Sequence, residues 1–270
     1  MSSFTLVKLG LIQFTYIFVG VSVLLFMVAG WLFGTYHLKK RAKPLAIQNG
    51  LVGAIFGLSA LVLGFTFSSA TSSFSARIDG NRAEASAVKA LYKSAKYLEP
   101  ADQLHLEKSL RQLLDYRVNA YVNLRSAAEV DTITDKITSF IIKINEDTVT
   151  AAQKTTATNR LLVDQILRPQ LATLTSVFTA GTIKVTSHPP NLILKFLFIL
   201  LIIGGILTGY SMAIKNETNW ILSVLYALII SFTFHVIISL EYPNIFMLPE
   251  EFNRDLLKVR DFLTQSALKH

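Results

Sequence analysis

Apolar residues along this chain gather into four long runs almost free of charge: Leu9–Gly34, Leu45–Ser69, Leu192–Ala213 and Trp220–Leu240. A helix rises about 1.5 Å per residue, so roughly 20 apolar residues cross the hydrocarbon core of a bilayer. Each run meets that length, and the pattern predicts four transmembrane helices. The first ends among Trp31 and Tyr36, aromatics favoured at a membrane interface. It is too long for the apolar part of a signal peptide and has only Lys8 ahead of it, so it is read as retained. Pro44 opens the second run, Pro189-Pro190 precede the third, and Lys195 sits near enough to an end to snorkel. The short link Lys215-Asn216-Glu217-Thr218-Asn219 predicts antiparallel neighbours for the last two helices.

Between the second and third runs the pattern changes. Residues 70–190 hold 15 Lys and Arg against 12 Asp and Glu, and their apolar residues recur at helical spacing. Val88, Leu91, Tyr92, Ala95 and Leu98 share a face in a helix over about 79–98, continuous with the second membrane helix through Phe74 and Ile78. Pro100-Ala101-Asp102 restarts a helix carrying Leu106, Leu110, Leu113, Leu114, Tyr121 and Leu124. A third, over about 129–148, presents Val130, Ile133, Ile137, Phe140, Ile141 and Ile144. From Asn159 the stripe Val163, Ile166, Leu167, Leu171, Leu174, Val177 and Phe178 continues, with a kink expected at Pro169. Beyond the fourth run, Pro249-Glu250-Glu251 starts a helix with the stripe Phe252, Leu256, Val259, Phe262 and Leu263. Lys258 and Arg260 are balanced there by Asp255 and Asp261, which favours docking on the central helices over lying on lipid.

Composition agrees with this division. Of 270 residues, 51% are hydrophobic and 16% charged, and the mean hydropathy is +0.45. A soluble domain carries about 25% charge. The net charge is +8, and Lys39, Lys40, Arg41 and Lys43 cluster between two apolar runs. Such a cluster marks a cytoplasmic loop or anionic headgroups rather than nucleic acid. The positive-inside rule then puts both termini and the 70–190 bundle outside the cytoplasm, in a bacterial inner membrane, although Arg254, Lys258 and Arg260 pull the other way. The absence of cysteine removes disulfides, thiolate metal sites and a cysteine nucleophile.

Small residues mark faces for close approach. Gly53, Gly57, Ala60 and Gly64 share one face of the second membrane helix, and Gly30 and Gly34 form a GxxxG on the first. Helix packing is the ordinary use of such faces; a thin pore wall is the alternative. Ser231, His235 and Ser239 stand at i, i+4 and i+8 on the fourth helix. An ionisable residue there marks a candidate polar or pore site. The plainer reading is a neutral histidine bonded to a serine or a backbone carbonyl, with Gln13 and Tyr16 on the first helix as candidate partners. No HExxH, P-loop, GxSxG or Rossmann glycine pattern occurs, and the cluster Glu129, Asp131 and Asp135 fits a solvated face better than a metal site. No catalytic residue, cofactor or metal ligand is expected.

The expected fold is therefore all-α and membrane-spanning, with four transmembrane helices and an extramembrane helical bundle between the second and third. The expected segments are 1–44, a first helix with its basic loop; 45–69, a second helix; 70–190, the bundle; 191–240, a hairpin; and 241–270, an amphipathic tail.

This order of parts resembles the bacterial and plastid bestrophin-like family. The likeness rests on Arg82-Ala83-Glu84-Ala85 with Leu91-Tyr92 following, Leu113-Leu114-Asp115-Tyr116, Asn159-Arg160 ahead of Pro189-Pro190, and Glu241-Tyr242-Pro243. Arg82, Glu84, Tyr116, Arg160 and Pro243 are its motif positions here. The resemblance implies a homo-oligomer and small anions as partners, since bestrophins are pentameric anion channels. Bestrophins narrow their pore with bulky apolar residues at i, i+4 and i+8 on the second helix. At that spacing this chain offers Phe56, Ala60 and Gly64, or Ile55, Ser59 and Leu63, neither set uniformly bulky. Bestrophins also keep their insert in the cytoplasm, opposite to the side that the basic loop indicates. The leading expectation is an oligomeric anion channel, helped by the lack of Asp or Glu inside any membrane run. Its rival is a non-conducting sensor or scaffold acting through the helical bundle.

Overall fold

The computed structural model describes residues 2–40, 49–120, 127–186, 191–216 and 219–267. Arg41, Lys43, Pro44, Tyr121, Leu124, Pro189, Pro190, Glu217 and Thr218, named above, lie outside the described residues, as do the side chains of Gln13 and Val130. Among the described residues the chain is helical and has no strand. In order come α1 (Ser2–Lys39), α2 (Asn49–Ser94), a 3₁₀ turn (Ala95–Tyr97), α3 (Pro100–Ala120), α4 (Ala127–Lys154) and α5 (Ala157–Leu162). A wide π turn (Val163–Leu167) leads into α6 (Arg168–Thr186), then α7 (Asn191–Lys215), α8 (Trp220–Glu241), α9 (Pro243–Phe246), α10 (Pro249–Phe252) and α11 (Arg254–Ala267). Four of these helices hold stretches long and apolar enough to cross a membrane: Tyr16–Lys39, Val52–Tyr97, Leu192–Lys215 and Trp220–Glu241.

The chain divides into two compact units. One comprises Gly10–Ser73 and His188–Tyr242; the other comprises Met1–Leu9, Phe74–Ser187 and Pro243–His270. The first is the apolar unit. Its interior is Val19, Val23 and Met27 of α1, Leu197, Leu201 and Tyr210 of α7, and Ala227, Phe234 and Ile237 of α8. Its outward positions are also apolar, among them Phe18, Leu25, Phe65, Ile221 and Phe232. Apolar side chains inside and out are what lipid solvation requires and water does not tolerate over so large a surface. Helices in lipid gain little from burying apolar groups against each other, so their backbones come close where side chains are small. A β-carbon on Gly30 would overlap the Ile206 carbonyl oxygen, and one on Gly209 would overlap that of Met27. Gly34 lies against Ala213, 2.6 Å from where its β-carbon would stand. The face Gly30–Gly34 is thus the contact of α1 with α7. Asn216, at φ 54°, ends α7 in the left-handed conformation that asparagine tolerates. Ser223 Oγ then lies 3.5 Å from Met212 Sδ, so α7 and α8 are neighbours across the short link, as their spacing predicted.

The second unit is polar outside and apolar within. Val88 and Leu91 of α2, Leu106, Leu110, Leu113 and Leu114 of α3, and Ile137, Ile141 and Ile144 of α4 are buried together. Leu167 of the π turn, Leu171, Leu174 and Phe178 of α6, and Leu256 and Leu263 of α11 complete the core. These are the stripes read from the sequence. α11 docks on α3, as the charge balance of its polar face suggested. α2 is one unbroken helix of 46 residues, about 69 Å at 1.5 Å per residue. That is more than twice the roughly 30 Å hydrocarbon core. Pro169 has no N–H to give the preceding turn, and the irregularity it imposes takes the form of the π turn immediately before it.

Candidate functional site

The polar row on α8 is assembled against α1. Ser231 Oγ donates to the Tyr16 carbonyl oxygen at 2.5 Å, and Gly20 leaves the space that brings these helices together. The His235 ring meets the Tyr16 ring edge-on, with centroids 4.6 Å apart. Ser239 Oγ donates to the His235 carbonyl oxygen at 2.7 Å, one turn back in its own helix. Ser231, His235 and Ser239 are half-buried. Their geometry is that of helix contact, with Tyr16 the partner on α1. Groups of His, Asp, Glu or Cys able to hold a metal ion are absent among the described residues.

The apolar stretch of α2 is different. Only 11% of an 18-residue apolar segment of it is buried, against 39%, 33% and 28% for the corresponding segments of α1, α7 and α8. Gly53, Gly57, Ala60 and Gly64 are exposed, and nothing lies within 4 Å of a β-carbon placed on any of the three glycines. Close packing within one chain is made by Gly30 and Gly34, whereas the glycines of the α2 row meet no neighbour among the described residues. Phe56 turns inward onto Gly204 and meets the Tyr226 ring edge-on at 5.6 Å, and Ser59 is buried, bonding back to the Ile55 carbonyl. Neither triplet picked at i, i+4, i+8 spacing forms an exposed bulky line. Leu58, Leu61 and Phe65 do, at 42%, 55% and 67% exposure. They escaped the sequence reading because their steps are three and four, the pitch of a straight helix, rather than four and four.

The motif positions fall in the polar unit. Glu84 and Arg117 form a buried ion pair, Nε to Oε2 2.9 Å, with side chains 2% and 7% exposed. Arg117 Nη2 also donates to Asn81 Oδ1 at 3.1 Å, and Asn81 Nδ2 donates to the Phe252 carbonyl at 3.0 Å. A β-carbon at residue 181 would strike the Glu84 carboxylate, so Gly181 of α6 is the wall that admits it. Arg82, exposed, bridges Asp79 at 3.1 Å and Asp255 of α11 at 3.2 Å. Tyr116 packs on Phe140 with the Lys136 ammonium over its ring. Pro243 is buried at the start of α9, and Arg160 is exposed on α5. Glu84 thus joins α2 to α3, and Arg82 joins α2 to α11. Arg117 was not singled out from sequence. Its signal was a charge on the Leu110–Leu114 stripe, one helical step further along.

No protein-family model matches the chain, and neither does any curated protein. Solved structures do match. Variants of a bacterial bestrophin homologue from Klebsiella pneumoniae superpose with a TM-score of 0.61 at 15% and 14% identity. The match covers 92% and 90% of this chain and 99% and 98% of those. The fold is bestrophin-like. A crystal structure described as a membrane protein aligns as well, TM-score 0.59 at 15% identity, over 91% of this chain and 98% of that one. Identities this low speak for architecture alone. With four apolar helices, the chain is an integral membrane protein of bestrophin-like fold.

Proposed function

We propose that the protein is a homo-oligomeric anion channel whose pore is lined by α2, with the 70–190 bundle and the 241–270 tail standing outside the bilayer. One observation carries this reading: the α2 apolar stretch is the least buried of the four in its own chain. A ring of identical chains gives that face both of its missing partners. Successive residues on a helix point 100° apart, so the small row Gly53, Gly57, Ala60 and Gly64 and the bulky line Leu58, Leu61 and Phe65 share one broad outward arc. The small row suits close contact with the next copy. The bulky line then faces the axis as an apolar constriction, which gates by dewetting. Absence of Asp and Glu from the four apolar runs Leu9–Gly34, Leu45–Ser69, Leu192–Ala213 and Trp220–Leu240 favours anions over cations, whose pathways use carboxylate rings. The Ser231, His235 and Ser239 row braces α8 on α1 in this account and does not line the path.

The bestrophin-like fold supports the channel reading. The charge rule, applied to the basic loop, puts the bundle on the extracytoplasmic side of a bacterial inner membrane. Single cysteines replacing Lys40 and the exposed Lys108 test that side in this cysteine-free chain. An impermeant thiol reagent on intact cells should label position 108 and spare position 40. Conduction is tested by purified protein in planar bilayers under a KCl gradient. A chain that stays monomeric and passes no current would be a scaffold acting through its bundle.

A further inference from the structure

We propose that the groove between α2 and the π turn–α6 segment of the polar unit binds a ligand presenting two or more phosphoryl groups. The groove has a volume of about 480 Å³, within the range of small-molecule sites. Lys89, Lys93 and Lys96 line it, with Ser86, Tyr97 and Gln170, and no Asp or Glu does. Lys89 and Lys93 stand at i and i+4 on α2, where like charges repel, and Lys96 follows on the 3₁₀ turn.

Three arginines of this unit are paired with carboxylates: Arg82 with Asp79 and Asp255, Arg117 with Glu84, Arg168 with Asp164. The three groove lysines have no carboxylate partner among the described residues. Two are held by aromatic rings, Lys89 at 5.1 Å from the Phe262 centroid and Lys96 at 5.2 Å from that of Tyr97. An aromatic face positions an ammonium without cancelling its charge. The floor is rigid: Ser94 is buried and bonded to the Ala90 and Leu91 carbonyls and to Gln170 Oε1. The remaining groups, the Ser86 and Tyr97 hydroxyls, are neutral donors. A halide in so open a groove would be screened at physiological salt, whereas a multiply charged phosphoryl ligand engages three ammonium groups at once.

This site is independent of the channel reading, and its test needs no current. The probe is tripolyphosphate, titrated calorimetrically into the full-length protein in discs of zwitterionic lipid at fixed ionic strength. Wild type should bind saturably, and the Lys89→Gln/Lys93→Gln/Lys96→Gln triple variant should bind at least tenfold more weakly. A charge-matched triple, Lys108→Gln/Lys136→Gln/Lys143→Gln, should bind as wild type does. Matching melting curves for the three proteins make the comparison one of binding and not of folding. A parallel titration of anionic-lipid vesicles without tripolyphosphate separates the two sources of phosphoryl groups. A difference between the first variant and wild type only there assigns the site to headgroups, and a difference with tripolyphosphate assigns it to a soluble ligand. Equal weakening in both triple variants, or no saturable binding by wild type to either probe, overturns the proposal.

Discussion

Replacing Glu84 by Gln leaves the shape of the polar unit intact and removes one charge from its interior. The Arg117 guanidinium then stays buried at 7% exposure, with a neutral amide where its carboxylate was and the Asn81 oxygen at 3.1 Å among its acceptors. Breaking a buried ion pair from one side costs roughly 3–5 kcal/mol, because the remaining charge stays out of water and loses its oppositely charged partner. For a unit of this size that lowers the melting temperature on the order of 10 °C. Arg117→Met alone should do comparable damage by taking the guanidinium from the buried Glu84 carboxylate. The double variant Glu84→Gln/Arg117→Met should recover much of the loss, since neither side chain of the former pair then carries a buried charge. Melting of detergent-solubilised wild type, both single variants and the double variant closes the cycle. Because Asn81 also holds the Phe252 carbonyl, protease sensitivity of the C-terminal helices should rise with each single variant and fall back in the double. A fall of less than about 2 °C for Glu84→Gln, or strictly additive effects in the double variant, would refute this account of the pair.

Other perturbations separate the two glycine faces and the α8 row. Gly209→Ala pushes a methyl into the Met27 backbone and should destabilise by about 1–3 kcal/mol in a thermal melt, whereas Gly57→Ala should leave the melting of the isolated chain unchanged. Gly57→Leu should keep the chain folded and shift its oligomer distribution in size-exclusion chromatography with light scattering. Ser231→Ala removes the bond to the Tyr16 carbonyl and should cost about 1 kcal/mol in the same melt. Since His235 packs on Tyr16, His235→Ala should leave the pH dependence of any current unaltered, and an altered pH profile would place its ring in water. Phe65→Ala should raise single-channel conductance by removing the most exposed bulky group of the α2 line.

Fold was legible in the sequence wherever one physical requirement dominated. Uncharged runs had to be membrane helices, and stripes such as Leu106–Leu110–Leu113–Leu114 and Ile137–Ile141–Ile144 had to be buried, because no other arrangement removes them from water. The unbroken α2 was readable too, since nothing between Ser69 and Ser94 interrupts a helix. The site was less legible. A row of glycines reads alike whether it packs on α7, as Gly30 and Gly34 do, or meets no neighbour among the described residues, as Gly53, Gly57 and Gly64 do. Sequence carries the smallness of the residue and not the identity of its neighbour. The same limit hid the pairing of Arg117 with Glu84, thirty-three positions apart, and the groove, whose lysines lie on α2 and its 3₁₀ extension while Gln170 comes from α6.

Current through purified protein in a planar bilayer bears most directly on the central claim. With a tenfold KCl gradient across the membrane, the account predicts discrete openings whose reversal potential lies near the chloride equilibrium potential. The same openings should be blocked by a thiol reagent when Phe65 is replaced by Cys. Current indistinguishable from that of a protein-free bilayer, or a reversal potential at the potassium equilibrium value, would contradict it.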